Sequence, residues 1–120
     1  MDVMMIRPIK LYNTRTRSVD LLQPLEEGKV GIYSCGPTVY NYAHIGNLRA
    51  YVFVDTLKRA LQWCGYQTNH IMNITDVGHL TDDASDGEDK MELAAKKTGR
   101  DIWDLSRYYT SIFFEHTGDL

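Results

Sequence analysis

The clearest hydrophobic pattern in the chain lies between residues 46 and 64 and repeats with the period of an α-helix. Apolar side chains fall on one face of this helix, and charged and amide side chains fall on the other. Gly65 follows at once, and glycine is common just past the last residue of a helix. The pattern predicts an amphipathic helix whose buried face consists of Ala50, Phe53, Val54, Leu57, Ala60, Leu61 and Cys64.

Two short runs on either side of this helix have the character of β-strands. Residues 30–34 predict a buried strand that leads into Cys35, and residues 67–74 predict the next strand. A strand, a helix and a second strand in this order make a βαβ unit, in which the two strands run parallel. The sequence therefore predicts an α/β protein.

Two further helices are predicted in the second half of the chain, over residues 89–97 and 101–116. Asp101 and Asp104 stand at the start of the second of these, where the positive end of a helix dipole favours carboxylates. The apolar positions of this helix that we expect to be buried are Ile102, Leu105, Tyr109, Ile112 and Phe113.

The composition and net charge of the chain argue against several functional classes. Apolar residues make up 43% of the 120 positions, which is enough for a hydrophobic core, and the net charge is −3. A chain of that charge is a poor autonomous nucleic-acid binder, because affinity for phosphates comes mainly from Lys and Arg. Two cysteines do not make a disulfide framework, and neither a signal peptide nor a membrane span is visible. We expect a soluble cytoplasmic protein with reduced thiols and no membrane partner.

The residues with the most evident chemistry lie between the first predicted strand and the long helix. Ligands of open α/β sheets bind beyond the carboxyl ends of the strands, where a helix N-terminus attracts phosphate. There His44 can donate to a phosphoryl oxygen, Gly46 lets the backbone approach a nucleotide, and Asn47 is a second polar donor. The alternative is structural, with His44 capping the helix and Gly46 merely starting it. The spacing alone leaves both interpretations open.

Cys35 also has two interpretations. A lone cysteine at a strand end usually acts as a small buried apolar residue. Metal binding would need partners, and no C-x-x-C motif or nearby pair of histidines accompanies it. Cys64 falls on the apolar face of the long helix and is predicted to belong to the core.

Three stretches of the sequence fall in register with the motifs of one family. Residues 35–49, CGPTVYNYAHIGNLR, contain His44-Ile45-Gly46-Asn47, which is similar to the HIGH motif in its HIGN form. Residues 11–17, LYNTRTR, and residues 73–77, NITDV, match the signatures that precede and follow it. Together they resemble the cysteinyl-tRNA synthetases, which are class I aminoacyl-tRNA synthetases.

The resemblance implies a fold and a domain organisation. The fold would be the first half only of a Rossmann-like (HUP-type) nucleotide-binding fold, with a parallel sheet and flanking helices. Residues 1–120 would be the N-terminal portion of the catalytic domain, with residues 1–29 as an N-terminal extension and 78–88 as an acidic loop. The KMSKS loop and the anticodon-binding region of the family are missing, so we expect these 120 residues alone to be inactive. Open strand edges would favour self-association.

The resemblance also implies a reaction and its participants. L-Cysteine would attack the α-phosphate of ATP to give cysteinyl-adenylate, with Mg²⁺ on the ATP phosphates, and the cysteinyl group would pass to tRNA(Cys). His44 and Asn47 would be catalytic, and Ile45 and Gly46 would complete the ATP-binding motif. Cys35 would be one ligand of Zn²⁺, whose other ligands, a Cys, a His and a Glu, come from later in the family's sequences.

The same resemblance implies a cysteine pocket made of Cys35, Gly36, Thr38 and Thr75. Cysteine and serine differ only by sulfur against oxygen, and an ordinary pocket discriminates such a small change by about 1–3 kcal/mol. Zinc binds a thiolate strongly and an alcohol weakly, which explains why the family would use a metal here.

The segment from Gly78 to Glu88 departs from the family's pattern, in which T-D-V is followed almost directly by D-D-K, and it contains an acidic run from Asp82 to Glu88. The run has some features of a calcium loop, but Ala84 and Leu93 occupy positions that need oxygen ligands. A solvated loop is the preferred interpretation, and it leaves the role of His79 open.

Two other functional classes remain as alternatives. One is a ligase that joins cysteine to an amino sugar, as in mycothiol biosynthesis, which shares the zinc cysteine and the histidine motif. Arg49 after HIGN favours the synthetase. The other is a stand-alone, non-catalytic nucleotide-binding module.

Overall fold

A computed structural model describes residues 5–76 and 90–120 of the chain. They belong to two compact units, one with residues up to Ser34 and Phe53–Ile71, the other with Cys35–Val52 and Met72–Leu120. The acidic run, its calcium-like spacing and His79 lie outside the described residues. The elements in chain order are β1 (Lys10–Asn13), β2 (Ser18–Leu21), β3 (Lys29–Ser34), α1 (Ile45–Trp63), β4 (Gln67–Met72), α2 (Lys90–Thr98) and α3 (Ile102–Gly118).

The first unit is built around the predicted βαβ segment. Strands β3 and β4 are hydrogen-bonded neighbours in a two-stranded sheet. Val30, Leu61 and Tyr66 form the buried centre, with a set of half-buried apolar residues packed against them: Ile9, Leu22, Ile32, Leu57 and Cys64. The predicted small parallel α/β sheet and the core position of Cys64 are confirmed.

Side chains of β3 alternate between the inside and the outside of the sheet. Val30 and Ser34 are buried, whereas Lys29, Gly31 and Tyr33 are exposed. The buried Ser34 hydroxyl is satisfied by the neighbouring strand, because its Oγ lies 2.7 Å from Nε2 of His70.

Helix α1 ends where the sequence predicts, at a glycine. Gly65 adopts a φ of 95°, and its N–H donates to the Gln62 carbonyl at 2.9 Å. The N–H of Tyr66 donates to the Leu61 carbonyl at 3.1 Å. This pair of bonds is a Schellman motif, which satisfies the last carbonyls of the helix and requires the left-handed conformation that glycine adopts without strain.

The predicted buried face of α1 is wrong at its first half. Leu61 is 1% exposed, but Phe53 is 70% exposed, and Ala50 is exposed as well. At 3.6 residues per turn Phe53 lies about 80° around the helix from Leu61, at the margin of the apolar face. The periodicity of the sequence identifies the apolar face of α1. How much of that face is buried depends on which other residues of the fold cover it.

Residues 10–21 form a β-hairpin that the hydrophobic pattern did not predict. Strands β1 and β2 pair antiparallel, with Lys10 opposite Leu21 and Asn13 opposite Ser18. In the turn, Asn13 Oδ1 accepts from the Arg15 N–H at 3.0 Å. Hydrogen bonds from Ser18 and Thr16 lower the pKa of Asp20, whose carboxylate closes the turn.

The second unit contains α2 and α3, close to their predicted bounds. Met91, Leu105 and Phe113 are buried there, and Asp101 caps α3 by accepting from the Trp103 N–H at 3.1 Å. The cap satisfies a first-turn N–H, as predicted from the position of the aspartate. Within residues 5–76 and 90–120, no helix is both long and apolar enough to cross a membrane.

Candidate functional site

The segment that connects β3 to α1 is held against the residues that follow β4. The Thr75 N–H donates to the Pro37 carbonyl at 2.9 Å, and the Val39 N–H donates to the Thr75 carbonyl at 3.1 Å. These bonds form a parallel bridge between Thr38 and Thr75. Two of the predicted pocket residues, which lie far apart in sequence, are therefore neighbours in the fold.

Gly36 is in direct contact with the end of β4. Its N–H donates to Oδ1 of Asn73 at 2.7 Å. A Cβ atom at this position would lie 1.8 Å from the Asn73 carbonyl oxygen and 2.8 Å from Cγ of Met72. Because the first of these obstacles is backbone, it cannot rotate away, and no residue other than glycine fits here.

We therefore expect Gly36→Ala to lower the free energy of unfolding by about 3 kcal/mol or more, at the upper end of the usual cost of overpacking. Gly31→Ala is the matched control, because a Cβ atom at Gly31 meets nothing within 4 Å. The control should cost less than about 1 kcal/mol. Urea unfolding of the 120-residue chain measures both, and equal stability of the two variants would contradict the proposed clash.

His44 is the N-cap of α1 and makes the cap with its ring. The Gly46 N–H donates to His44 Nδ1 at 3.1 Å, and the N–H groups of Asn47 and Leu48 donate to the His44 carbonyl at 2.9 and 3.0 Å. Asn47 reaches back, and its Oδ1 accepts from the His44 N–H at 3.2 Å. The arrangement resembles a capping box with imidazole and amide in place of hydroxyl and carboxylate, except that the ring accepts from the second amide of the helix, that of Gly46, and not from the third.

This cap determines which hydrogen-bonding groups remain for a ligand. A ring nitrogen that accepts a hydrogen bond carries no proton, so the proton of neutral His44 is on Nε2. Asn47 uses its oxygen in the cap and keeps its NH₂ donors. The exposed His44 and Asn47 side chains therefore both present N–H donors at the positive end of α1. The structural alternative, that His44 caps the helix, is confirmed and does not exclude the functional one.

Gly46 has a steric role in this cap. A Cβ atom at Gly46 would lie 3.0 Å from Cε1 and 3.1 Å from Nδ1 of His44, so a side chain there would press on the ring. The Gly46 N–H is occupied by the ring and is not among the free amides that a phosphate would meet at this turn. The absence of a side chain at Gly46 lets the imidazole lie over the start of the helix.

Cys35 is exposed and is not part of a disulfide. The alternative of a small buried apolar residue is thus wrong. Tyr51 is near enough to be affected by the thiolate charge: burial raises the pKa of Tyr51, and Cys35 raises it further. In the described ranges, no group of three or more His, Cys, Asp or Glu side chains is arranged to hold a metal. Cys35 fits zinc as a single thiolate donor.

Helix α3 closes one side of the site, which the sequence did not indicate. A cavity of about 140 Å³ is lined by residues 37–44 together with Asn47, Tyr51, Tyr109, Ile112 and Phe113. The rings of Tyr51 and Phe113 meet edge to face, with their centroids 5.1 Å apart. Of the α3 positions that were predicted to be buried, Leu105 and Phe113 are buried and the other three are half-buried. No local signal links these residues to His44.

A tyrosine cluster adjoins this cavity. The Tyr42 ring meets Tyr109 edge to face at 5.1 Å, and its hydroxyl lies 3.0 Å from that of Tyr108. The hydrogen bond with Tyr108 raises the pKa of Tyr42. The guanidinium of Arg100 lies 5.3 Å from the centre of the Tyr108 ring. The cluster anchors residues 40–44 to α3 through aromatic contacts.

Comparison with known sequences adds to this geometry. A sequence profile described as the tRNA synthetases class I (C) catalytic domain matches residues 21–120. The cysteine–tRNA ligase of Novosphingobium aromaticivorans is 55% identical over 108 residues, which cover 90% of this chain and 22% of that protein. The cysteine–tRNA ligase of Zymomonas mobilis is 51% identical over 113 residues, which cover 94% of this chain and 22% of that protein. This chain therefore spans 22% of the length of these curated relatives.

Proposed function

This chain belongs to the family of class I tRNA synthetase (C) catalytic domains, and from this membership we propose that it is the part of a cysteine–tRNA ligase that binds ATP and cysteine. The reaction would be the ATP-dependent formation of cysteinyl-adenylate, followed by transfer of the cysteinyl group to tRNA(Cys). The observation that carries the proposal is the His44 cap, which sets Nε2–H as a donor beside a helix N-terminus. A Rossmann-like (HUP-type) fold for the complete domain is part of this proposal.

The proposed role of the HIGN turn follows from where charge develops. When the cysteine carboxylate attacks the α-phosphate, negative charge moves onto the phosphoryl and bridging oxygens, and Mg²⁺ bound with ATP would supply further positive charge there. His44 Nε2–H and the Asn47 amide donate to those oxygens, and the dipole of α1 adds a positive potential. Because the cap fixes the ring in advance, little reorganisation is needed as the charge forms. The Gly46 amide supports this role through His44 and not by contacting phosphate.

The proposed cysteine site lies at the carboxyl end of β3. Cys35, Gly36, Thr38 and Thr75 would surround the substrate, supported by the backbone bridge between the two threonines. Cys35 would provide one thiolate ligand for zinc, and zinc, when bound, would ligate the substrate sulfur and so favour cysteine over serine. Gly36 would let the Asn73 backbone lie against the residue next to Cys35, because any side chain at Gly36 would collide with the Asn73 carbonyl oxygen. Because the net charge of these 120 residues is −3, most tRNA contacts would come from outside them.

A hybrid ligase provides the direct test. In the Novosphingobium aromaticivorans enzyme, the segment that matches this chain would be replaced by residues of this chain. We expect cysteine-dependent ATP–pyrophosphate exchange and tRNA(Cys) cysteinylation within about tenfold of the parent enzyme, because 55% identity over the segment should preserve its fold. The 120-residue chain alone is the control and should give neither reaction.

The outcome also distinguishes the alternatives. Because the hybrid takes most of its tRNA contacts from the parent ligase, the mycothiol-type alternative is tested on the full-length protein of which this chain would be a part, and transfer of cysteine to an amino sugar and not to tRNA would favour that alternative. A folded hybrid that binds ATP without activating cysteine would favour a nucleotide-binding module. Either result would contradict the proposed function.

A further inference from the structure

The Cys35 thiol is held in place by its backbone and not by side-chain hydrogen bonds. It is exposed, and within residues 5–76 and 90–120 no hydrogen bond to its sulfur is found. A thiol that ligates a metal must nevertheless point in one direction, because a site whose ligand positions vary by about 1 Å loses much of its function. The direction of the Cys35 side chain then depends on what fixes the peptide groups next to it.

The peptide between Cys35 and Gly36 is fixed by the side chain of Asn73. The Gly36 N–H donates to Asn73 Oδ1 at 2.7 Å, a short and part-buried bond. An asparagine side chain can accept an N–H only with its oxygen, so the orientation of the amide follows from the contact. On the other side, the space for a Gly36 Cβ is occupied by the Asn73 carbonyl oxygen, 1.8 Å away. The plane of this peptide is therefore constrained by Asn73 from two directions.

Apart from the Asn73 contact, the hydrogen bonds found between residues 36–39 and 73–75 run between backbone groups, and the Ser34–His70 bond on the other side of Cys35 joins two side chains. The Thr75 N–H donates to the Pro37 carbonyl, and the Val39 N–H donates to the Thr75 carbonyl. Asn73 therefore provides the hydrogen bond to the Cys35–Gly36 peptide that a substitution can remove while the backbone bridge stays intact. A partner of this kind resembles the outer-shell groups that orient metal ligands without touching the metal.

We propose that Asn73 is a positioning residue for Cys35, whose side-chain oxygen fixes the Cys35–Gly36 peptide and so the direction of the thiol. The expected effect of Asn73 on cysteine binding rests on the proposed function. The expected protection of the Gly36 amide by Asn73 does not rest on it, because it follows from their hydrogen bond alone. The same contact gives a reason for the pairing of glycine and asparagine at these two positions. Glycine allows the close approach, and the asparagine oxygen satisfies the amide that this approach would otherwise bury without a partner.

The first arm of the test uses the 120-residue chain and hydrogen exchange of the Gly36 amide, followed by NMR. Asn73→Ala should speed this exchange by about tenfold, the effect of losing one net hydrogen bond. Asn73→Asp keeps an acceptor oxygen and should leave the exchange near the original rate. Asn69→Ala is the control, because Asn69 is an exposed asparagine on β4, the strand that ends directly before Asn73. Equal exchange in the Ala and Asp variants, or no change in either, would overturn the proposal.

The second arm uses the hybrid ligase. Asn73→Ala should raise the KM for cysteine by about 10–100-fold, the range seen when an outer-shell partner is lost, and change the KM for ATP by less than about threefold. A general loss of structure would raise both constants together and would overturn the positioning role. The side chain of Asn73→Ser is too short to reach the Gly36 amide, so this variant should show the same changes in the two KM values. It replaces the alanine variant in the test if the alanine variant folds poorly. An inactive unsubstituted hybrid would contradict the proposed function, and the exchange measurement would still decide the role of Asn73.

Discussion

Replacing His44 by alanine in the hybrid ligase should slow cysteinyl-adenylate formation by about 10²–10³-fold. That range is the usual cost of removing one donor that acts mainly in the transition state. The Nδ1 contact with the Gly46 N–H leaves the proton on Nε2, and alanine removes this donor together with the cap. The KM for cysteine should change much less, because the lost hydrogen bond forms as charge develops on the phosphoryl oxygens. Single-turnover formation of cysteinyl-adenylate, with the enzyme in excess over ATP, measures the rate.

The cap itself must be separated from the catalytic role. His44→Ala also costs about 1 kcal/mol of helix stability, because Gly46 loses its acceptor. His44→Ser restores an N-cap hydroxyl without restoring a ring donor, so it should recover stability while the rate stays low. His116→Ala, at an exposed histidine near the end of α3, is the matched control and should leave the rate unchanged. A serine variant with normal activity would mean that His44 acts only as a cap.

The elements of this fold that could be predicted from sequence are those with local causes. The amphipathic period and Gly65 predicted both ends of α1 to within one residue. Asp101 likewise predicted the start of α3. Each of these signals acts within one helical turn, through hydrogen bonds to nearby amides or carbonyls. The motif at His44 is local in the same sense, since its cap involves residues 44–48 alone.

The parts that could not be predicted depend on contacts between distant residues. The hydrogen bond from Gly36 to Asn73 joins positions 37 residues apart. No feature of the sequence around either residue predicts this contact. The exposure of Phe53 has the same origin, because burial depends on what the fold places over a side chain. The hairpin of residues 10–21 is largely polar, and its turn is stabilised by hydrogen bonds around Asp20 and not by an alternating apolar pattern.

Cys35→Ser in the hybrid ligase should abolish zinc retention and cysteine activation together. A hydroxyl stays protonated at neutral pH and is a poor zinc ligand, whereas a thiol ionises readily and binds zinc as thiolate. Cys35 is exposed at the end of β3, with its backbone held by the Gly36 contact, so serine should fit without disturbing the fold. Loss of a direct ligand should cost more than the roughly 100-fold that an outer-shell substitution costs at most.

Cys64→Ser is the matched control, because it makes the same sulfur-to-oxygen change at the other cysteine. Cys64 packs against the core formed by Val30, Leu61 and Tyr66, so its substitution should lower stability by about 1–3 kcal/mol and leave zinc content and activation intact. Zinc would be measured by mass spectrometry of the purified hybrids, and activation by ATP–pyrophosphate exchange with cysteine and with serine. Full zinc content and normal activation in the Cys35→Ser hybrid would show that this thiol is not a ligand. Cysteine selectivity would then have to come from the pocket wall at Thr38 and Thr75, which alone should discriminate serine by only about 1–3 kcal/mol.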